Sequence, residues 1–155
     1  MERQNDSVSE NASGMCGHSV SKSFIVENNY SDTGAGFLVK DPFGYPGVTR
    51  IDMNENCDGC AVVGESAEAS CTAVPKLSTG SGLVYLYTRE TGNGIPKNAV
   101  AWYLTAVDFE TGKTVYKVFT GCGRNWNNSY GPITIGPNGR AYIGVFNGLV
   151  SVSDS

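Results

Sequence analysis

At 155 residues and a formal net charge of -4, the chain has the size of one domain, and its 17% of charged residues do not supply the clustered basic face that gripping nucleic acid needs. No apolar run approaches the roughly 18 residues of a membrane-spanning helix. Twenty glycines weigh against a helical bundle, which leaves an all-β chain as the expected class.

The first residues, MERQNDSVSENASGM, are polar and acidic and lack the basic and apolar regions of a signal peptide. Residues 1–13 read as a disordered lead-in. From about residue 18, runs rich in Val, Ile, Tyr, Phe and Thr alternate with Gly, Pro, Asn and Asp. Strands are expected at Ser23–Val26, Gly47–Met53, Cys60–Val63, Leu83–Thr88, Val100–Phe109, Thr114–Phe119, Ile133–Ile135, Ala141–Phe146 and Leu149–Val152. The stretch ESAEAS, Glu65 to Ser70, has no apolar face and reads as a loop.

These strands repeat. LSTGSGLVYLYT (Leu77 to Thr88) aligns with TIGPNGRAYIGVF (Thr134 to Phe146), and Tyr85 falls on Tyr142 at an offset of 57 residues. Pro75 falls on Pro132 at the same offset, and Asp52 on Asp108 at 56. The order of the elements repeats as well as their type, which generic hairpins do not explain. In GLVYLYT, Leu83, Tyr85 and Tyr87 share one face and Val84 and Leu86 the other. A strand apolar on both faces needs cover on both. In the turn after Val107, the Asp108 side chain is placed to cap backbone N–H groups and Gly112 to take a positive φ.

The motif Ala106-Val107-Asp108-Phe109-Glu110-Thr111-Gly112-Lys113-Thr114-Val115-Tyr116, with PNGRAYIG and the closing NGLVSVSDS, resembles the repeats of pyrroloquinoline-quinone-type β-propellers. Tyr116 stands where that family usually has Trp, and NENCDGC replaces the Thr-Gly-Lys turn in the first unit. The resemblance spans roughly residues 16–155 and implies a partial β-propeller over 14–155, with four-stranded antiparallel blades at about 14–66 and 71–121 and an incomplete one at 130–155. About two and three-quarter blades leave a ring unclosed, since closed propellers have about 4–8. The expected partners are further propeller blades, from the same or another chain, in an oligomer or a larger propeller.

The chemistry-bearing residues are few. Cys57, Cys60, Cys71 and Cys122 are disulfide candidates, with Cys16 the odd thiol. A zinc site using Cys57-x-x-Cys60 with His18 stays open, although Cys71 and Cys122 lie 51 residues apart. A redox role fits poorly, because the Asp-containing turn raises a thiol pKa rather than lowering it. His18 is the single histidine, and Ser13 and Ser19 lie too near it for the usual triad geometry. No catalytic set emerges.

Two polar–aromatic clusters suit a ligand with hydroxyls and an apolar face, such as a glycan or a small quinone-like molecule. The first is Glu27, Asn28, Asn29 and Tyr30; the second is Arg124, Asn125, Trp126, Asn127, Asn128 and Tyr130. Lys76 would add a positive charge from an inner strand. The alternative for the second cluster is a loop whose amides satisfy its own backbone while Trp126 packs between blades. Asp52, Asn54, Asn56 and Asp58 approximate a calcium loop without its closing Glu, and Asp/Asn-rich turns often look alike.

A non-catalytic scaffold that binds a ligand or a protein is therefore the expected function. The alternatives are a fragment of a quinone-dependent oxidoreductase, which as the family has it would need pyrroloquinoline quinone, calcium and an adjacent Cys–Cys pair, and a self-assembling extracellular protein. The chain has no adjacent Cys–Cys pair. Four N-x-S/T sequons, at Asn5, Asn11, Asn29 and Asn127, point toward a secreted or periplasmic setting.

Overall fold

The computed structural model describes residues 7–10, 23–27, 47–54, 56, 58–70, 73–91, 94–96 and 99–153. These residues form an all-β structure of three antiparallel sheets. Sheet 1 runs β1 (Ser7–Glu10), β2 (Ser23–Glu27), β3 (Val48–Met53) and β4 (Cys60–Ser66). Sheet 2 runs β5 (Lys76–Ser78), β6 (Leu83–Glu90), β7 (Ala101–Asp108) and β8 (Thr114–Cys122). Sheet 3 holds three strands, β9 (Ile133–Ile135), β10 (Ala141–Val145) and β11 (Gly148–Val152). Each sheet is a meander, so every strand pairs with its neighbour in sequence. No helix among the described residues is long and apolar enough to cross a membrane.

The expected strands all form, most of them a residue or two longer or shorter than expected. Two segments differ from the sequence reading. Ser7–Glu10 lies in the stretch expected to be a disordered lead-in, yet it pairs with β2 from Ser7↔Val26 to Glu10↔Ser23. The free edge of β2 offers a row of N–H and C=O groups, and a polar Ser/Val/Glu segment can satisfy them without needing a core of its own. β1 is thereby the edge strand of sheet 1 beside β2, and His18 lies outside the described residues. The start of ESAEAS is the second difference. Glu65 and Ser66 continue β4, because Val48↔Ser66 and Thr49↔Glu65 extend the ladder.

Alternation along the strands sets the packing. Val84 and Leu86 meet Ile25, Val48 and Val107 in an aliphatic cluster between sheets 1 and 2. The opposite face of β6 puts Tyr87, with Tyr85 at its margin, into a larger cluster with Trp102, Leu104, Ile133, Ala141, Ile143 and Val150 between sheets 2 and 3. Sheet 2 is thus buried on both faces, as the two apolar sides of GLVYLYT require. Tyr87 and Trp102 are fully buried and stacked, with ring centroids 5.5 Å apart and planes 14° from parallel. The Tyr87 hydroxyl, its pKa pushed up to about 12 by burial, sits 2.9 Å from Thr120 Oγ1 and donates to the Trp126 carbonyl at 3.0 Å.

Sheets 2 and 3 share an orientation. Val84 and Leu86 face sheet 1 as Ala141 and Ile143, 57 residues on, face sheet 2. Just upstream of β5 and β9, Val74 and Pro132 form a parallel bridge, so these two sheets present their first strands side by side in the same direction.

Candidate functional site

The features with chemistry lie where the sheets meet and in the loop between β8 and β9. The Asp108 turn docks sheet 2 onto sheet 1. Asp108 Oδ1 accepts from the Thr111 amide at 2.8 Å and the Thr111 hydroxyl at 2.7 Å, and the Gly112 amide donates to the Asp108 carbonyl at 2.9 Å. Those Thr111 hydrogen bonds hold the Asp108 carboxyl below the usual carboxylate range. Gly112 takes φ 67°, and a Cβ there would stand 2.4 Å from the Glu65 carbonyl oxygen of β4. The glycine therefore serves the turn and the close approach of two sheets at once.

An ionic clamp flanks that contact. Arg50 on β3 binds Asp52 through two hydrogen bonds, at 2.8 and 2.7 Å, and reaches across to Glu110 at 2.6 Å. Its guanidinium lies 4.0 Å from the centroid of Phe109. The hydrogen bonds from Arg50 hold the Asp52 carboxyl below its ordinary pKa, and Asp52 in turn raises Arg50. On the same seam, Lys117 of β8 bridges Glu68 at 2.7 Å and Glu90 at 2.6 Å, while Thr114 donates to Glu68 at 2.6 Å. Between them, Ile25, Val48, Arg50, Val84 and Phe109 line a cleft with room for about one water.

Three of the four calcium-loop candidates, Asp52, Asn54 and Asp58, are engaged by groups of the chain itself. Asp52 is taken by Arg50, whose charge opposes a cation. Asn54 closes the β3–β4 turn: its Oδ1 accepts from the Asp58 and Gly59 amides at 3.1 and 3.3 Å, and its Nδ2 donates to Asp58. Asn56 lies exposed in that turn. Among the described residues no three acidic, histidine or cysteine side chains gather as a metal site would require.

Of the four disulfide candidates, Cys60 and Cys122 lie among the described residues with free thiols, Cys60 exposed and Cys122 half-buried. The turn is tied by Asn54 and by the backbone bond from Asn54 N to Gly59 O, and Cys60 faces Met53 as the first ladder residue of β4. Cys57 and Cys71 lie outside the described residues, as do Asn28, Asn29 and Tyr30. Glu27 is buried and accepts a 2.9 Å hydrogen bond from Ser70. Lys76 is exposed on β5.

The loop Arg124–Tyr130 spends most of its polar groups on itself. Asn127 Oδ1 accepts from the Ser129 amide at 2.7 Å, its carbonyl accepts from Phe146 N at 2.9 Å, and Asn128 Nδ2 donates to the Gly131 carbonyl at 2.9 Å. Asn127 and Asn128 are both buried. Trp126 seats against Gly121, where a Cβ would come within 2.0 Å of the indole, and packs on the cluster between sheets 2 and 3. Arg124, Asn125 and Tyr130 remain exposed, with Arg124 5.8 Å from the Phe146 ring. Ser129 and Tyr130 both hold positive φ, 46° and 65°, a conformation side chains seldom adopt.

The Trp126 indole lies against Gly121, and Asp52 is paired with Arg50. Packing of Trp126 between sheets is the alternative kept for this loop, whereas its contact with Gly121 and the Arg50–Glu110 clamp escaped the sequence reading. The glycine at 121, five residues before an aromatic, was the one local sign of the first; nothing local announced the second. Compared with family models, curated proteins and solved structures, the chain matches none.

Proposed function

We propose that this chain is a segment of a β-propeller of the pyrroloquinoline-quinone repeat type, acting as a non-catalytic scaffold that binds protein through stacked blades. The supporting observation is that the faces at the two ends of the stack repeat those already packed inside it. Sheet 1 turns Phe24, Val26, Ile51 and Val62 away from sheet 2, as cross-strand neighbours on one face. Sheet 3 turns Tyr142 and Leu149 away from sheet 2, and Leu149 is 65% exposed. By the repeat, the outer face of sheet 3 corresponds to the Tyr85 and Tyr87 face of sheet 2, and the outer face of sheet 1 to the Val84 and Leu86 face. Those two face types form both internal interfaces. A further sheet of this repeat, in another copy or in adjoining sequence, is the partner such faces fit.

Head-to-tail stacking has a distinctive test. Ile51→Lys disables one end and Tyr142→Lys the other. Light scattering should show association of the wild-type chain, loss of it in each variant alone, and a one-to-one pair when the two variants are mixed. A wild-type chain that stays monomeric at its highest soluble concentration overturns the reading.

A further inference from the structure

The chain carries three Asn–Gly steps, Asn93–Gly94, Asn138–Gly139 and Asn147–Gly148. A Gly after Asn leaves the backbone nitrogen its least obstructed approach to the side-chain carbonyl carbon, because the follower has no Cβ. Asn93 lies outside the described residues, and the other two steps sit in different surroundings.

Asn138 is held in its turn. Its Oδ1 accepts from the Arg140 amide at 3.2 Å and lies 3.0 Å from the place a Cβ on Gly136 would take, while the Gly139 amide donates to the Gly136 carbonyl at 3.0 Å. Asn147 is exposed at the tip of the β10–β11 hairpin, where Phe146 and Asn147 form a two-residue turn closed by the pair Val145↔Gly148. Among the described residues, no hydrogen bond holds the Asn147 side-chain amide. Gly148 takes φ 140°, which side chains rarely adopt, and nothing stands within 4 Å of where its Cβ would be. The backbone thus requires the very glycine that makes the step reactive. The same tip is tied to the loop after β8, since the Phe146 amide donates to the Asn127 carbonyl at 2.9 Å and the Asn147 amide to the Asn125 carbonyl at 3.2 Å.

We propose that Asn147 is a self-modification site, at which the side-chain amide is lost as ammonia and the hairpin tip becomes aspartyl or isoaspartyl. The Gly148 nitrogen attacks Asn147 Cγ. A bond from that nitrogen to Cγ forms, the Cγ–Nδ2 bond breaks, and the Gly148 amide proton leaves with the side-chain nitrogen as ammonia. Water then opens the cyclic imide at either carbonyl, and no oxidant or reductant takes part. Opening at Cγ leaves aspartate in an unchanged backbone. Opening at the main-chain carbonyl leaves isoaspartate, which adds a methylene to the main chain. A two-residue turn sets the register of the strands it joins, so the added carbon pulls the tip amides away from Asn127 and Asn125. The modification therefore frees the hairpin tip from the β8–β9 loop, with water as its only reagent.

The 155-residue chain is incubated in isotope-labelled water, which marks each newly formed carboxylate, and its Asn–Gly steps are read by peptide mapping, folded and in denaturant. In the folded chain Asn147 should convert about tenfold faster than Asn138, the difference that one or two anchoring hydrogen bonds make, while in denaturant the two should convert at similar rates. Amide exchange at Phe146 and Asn147 should be faster in the purified isoaspartyl chain than in Asn147→Asp, which carries the charge in an unaltered backbone. Asn147→Gln, whose longer side chain needs a larger ring, should keep the fold by circular dichroism and lose the product at this position. Conversion of Asn138 first, equal rates in the folded chain, or a folded Asn147 that stays intact while the denatured chain converts would each overturn the proposal. So would equal exchange at the tip in the isoaspartyl and Asn147→Asp chains. Because this test reads a covalent change at a turn, it holds or fails separately from the stacking of the sheet faces.

Discussion

Single residues decide how closely the sheets approach. Gly121 and Trp126 share one small space, so Gly121→Ala drives a methyl into the indole and pushes Trp126 off its seat. Overpacking of this kind costs about 1–3 kcal/mol. In a Trp102→Phe background, where Trp126 is the single indole, the emission should move to longer wavelength as the ring is wetted, with a fall in melting temperature. Trp102 itself is the largest buried side chain, and Trp102→Ala should cost about 3–5 kcal/mol by denaturant melting. Titration acts at this scale too. Arg50 lowers the folded pKa of Asp52, so that carboxylate contributes stability above its unfolded pKa, about 3.9, and the contribution is lost as pH falls through the lower folded value. The melting temperature should drop on acidification through that window. Asp52→Asn should melt lower than wild type at neutral pH and converge with it in acid; parallel curves at all pH values would contradict this assignment.

Between elements, polar clamps and apolar faces divide the labour. Lys117 holds Glu68, from the segment after β4, and Glu90, from the end of β6, so it ties the outer strand of sheet 2 to both neighbours. Surface ion pairs are usually worth about 0–1 kcal/mol, which predicts that Lys117→Met costs no more than that in a melt and mainly raises amide exchange in β8. Local patterning explains what the sequence disclosed at this level. A run apolar on both faces announced β6, and the spacing of Asp108, Thr111 and Gly112 announced the turn with its cap and positive φ, because each works within a few residues of chain. The pairing of β1 with β2 and the reach of Arg50 to Glu110 depend on register and on how sheets dock, across 60 residues in the second case. The loop at Arg124–Tyr130 shows the same limit from the side of function. Its composition fits a ligand as well as a backbone, and only the fold reveals that Asn127 and Asn128 are turned to the backbone while Arg124 and Tyr130 stay outside.

At the scale of the molecule, the two intersheet cores are unequal, and that inequality should set the order of unfolding. The core between sheets 2 and 3 joins stacked Tyr87 and Trp102 to Leu104, Ile133, Ile143 and Val150; the one between sheets 1 and 2 has five buried aliphatic residues. Stacked repeats transmit stability only to their neighbours, so the sheet bound by the smaller core can open while the others hold. Sheet 1 keeps its place through that small core, the Gly112 contact and two exposed-edged clamps, none of which belongs to the aromatic core. Native-state hydrogen exchange should therefore find the slowest amides in β6, β7 and β10, with β2, β3 and β4 exchanging together at a lower free energy. Gly112→Ala, which combines a clash against the Glu65 backbone with a positive φ, should widen that gap by loosening sheet 1 while leaving the protection of β10 unchanged. If β3 and β10 lost protection equally in that variant, the three sheets would be one cooperative unit and the neighbour-by-neighbour account of this fold would fail.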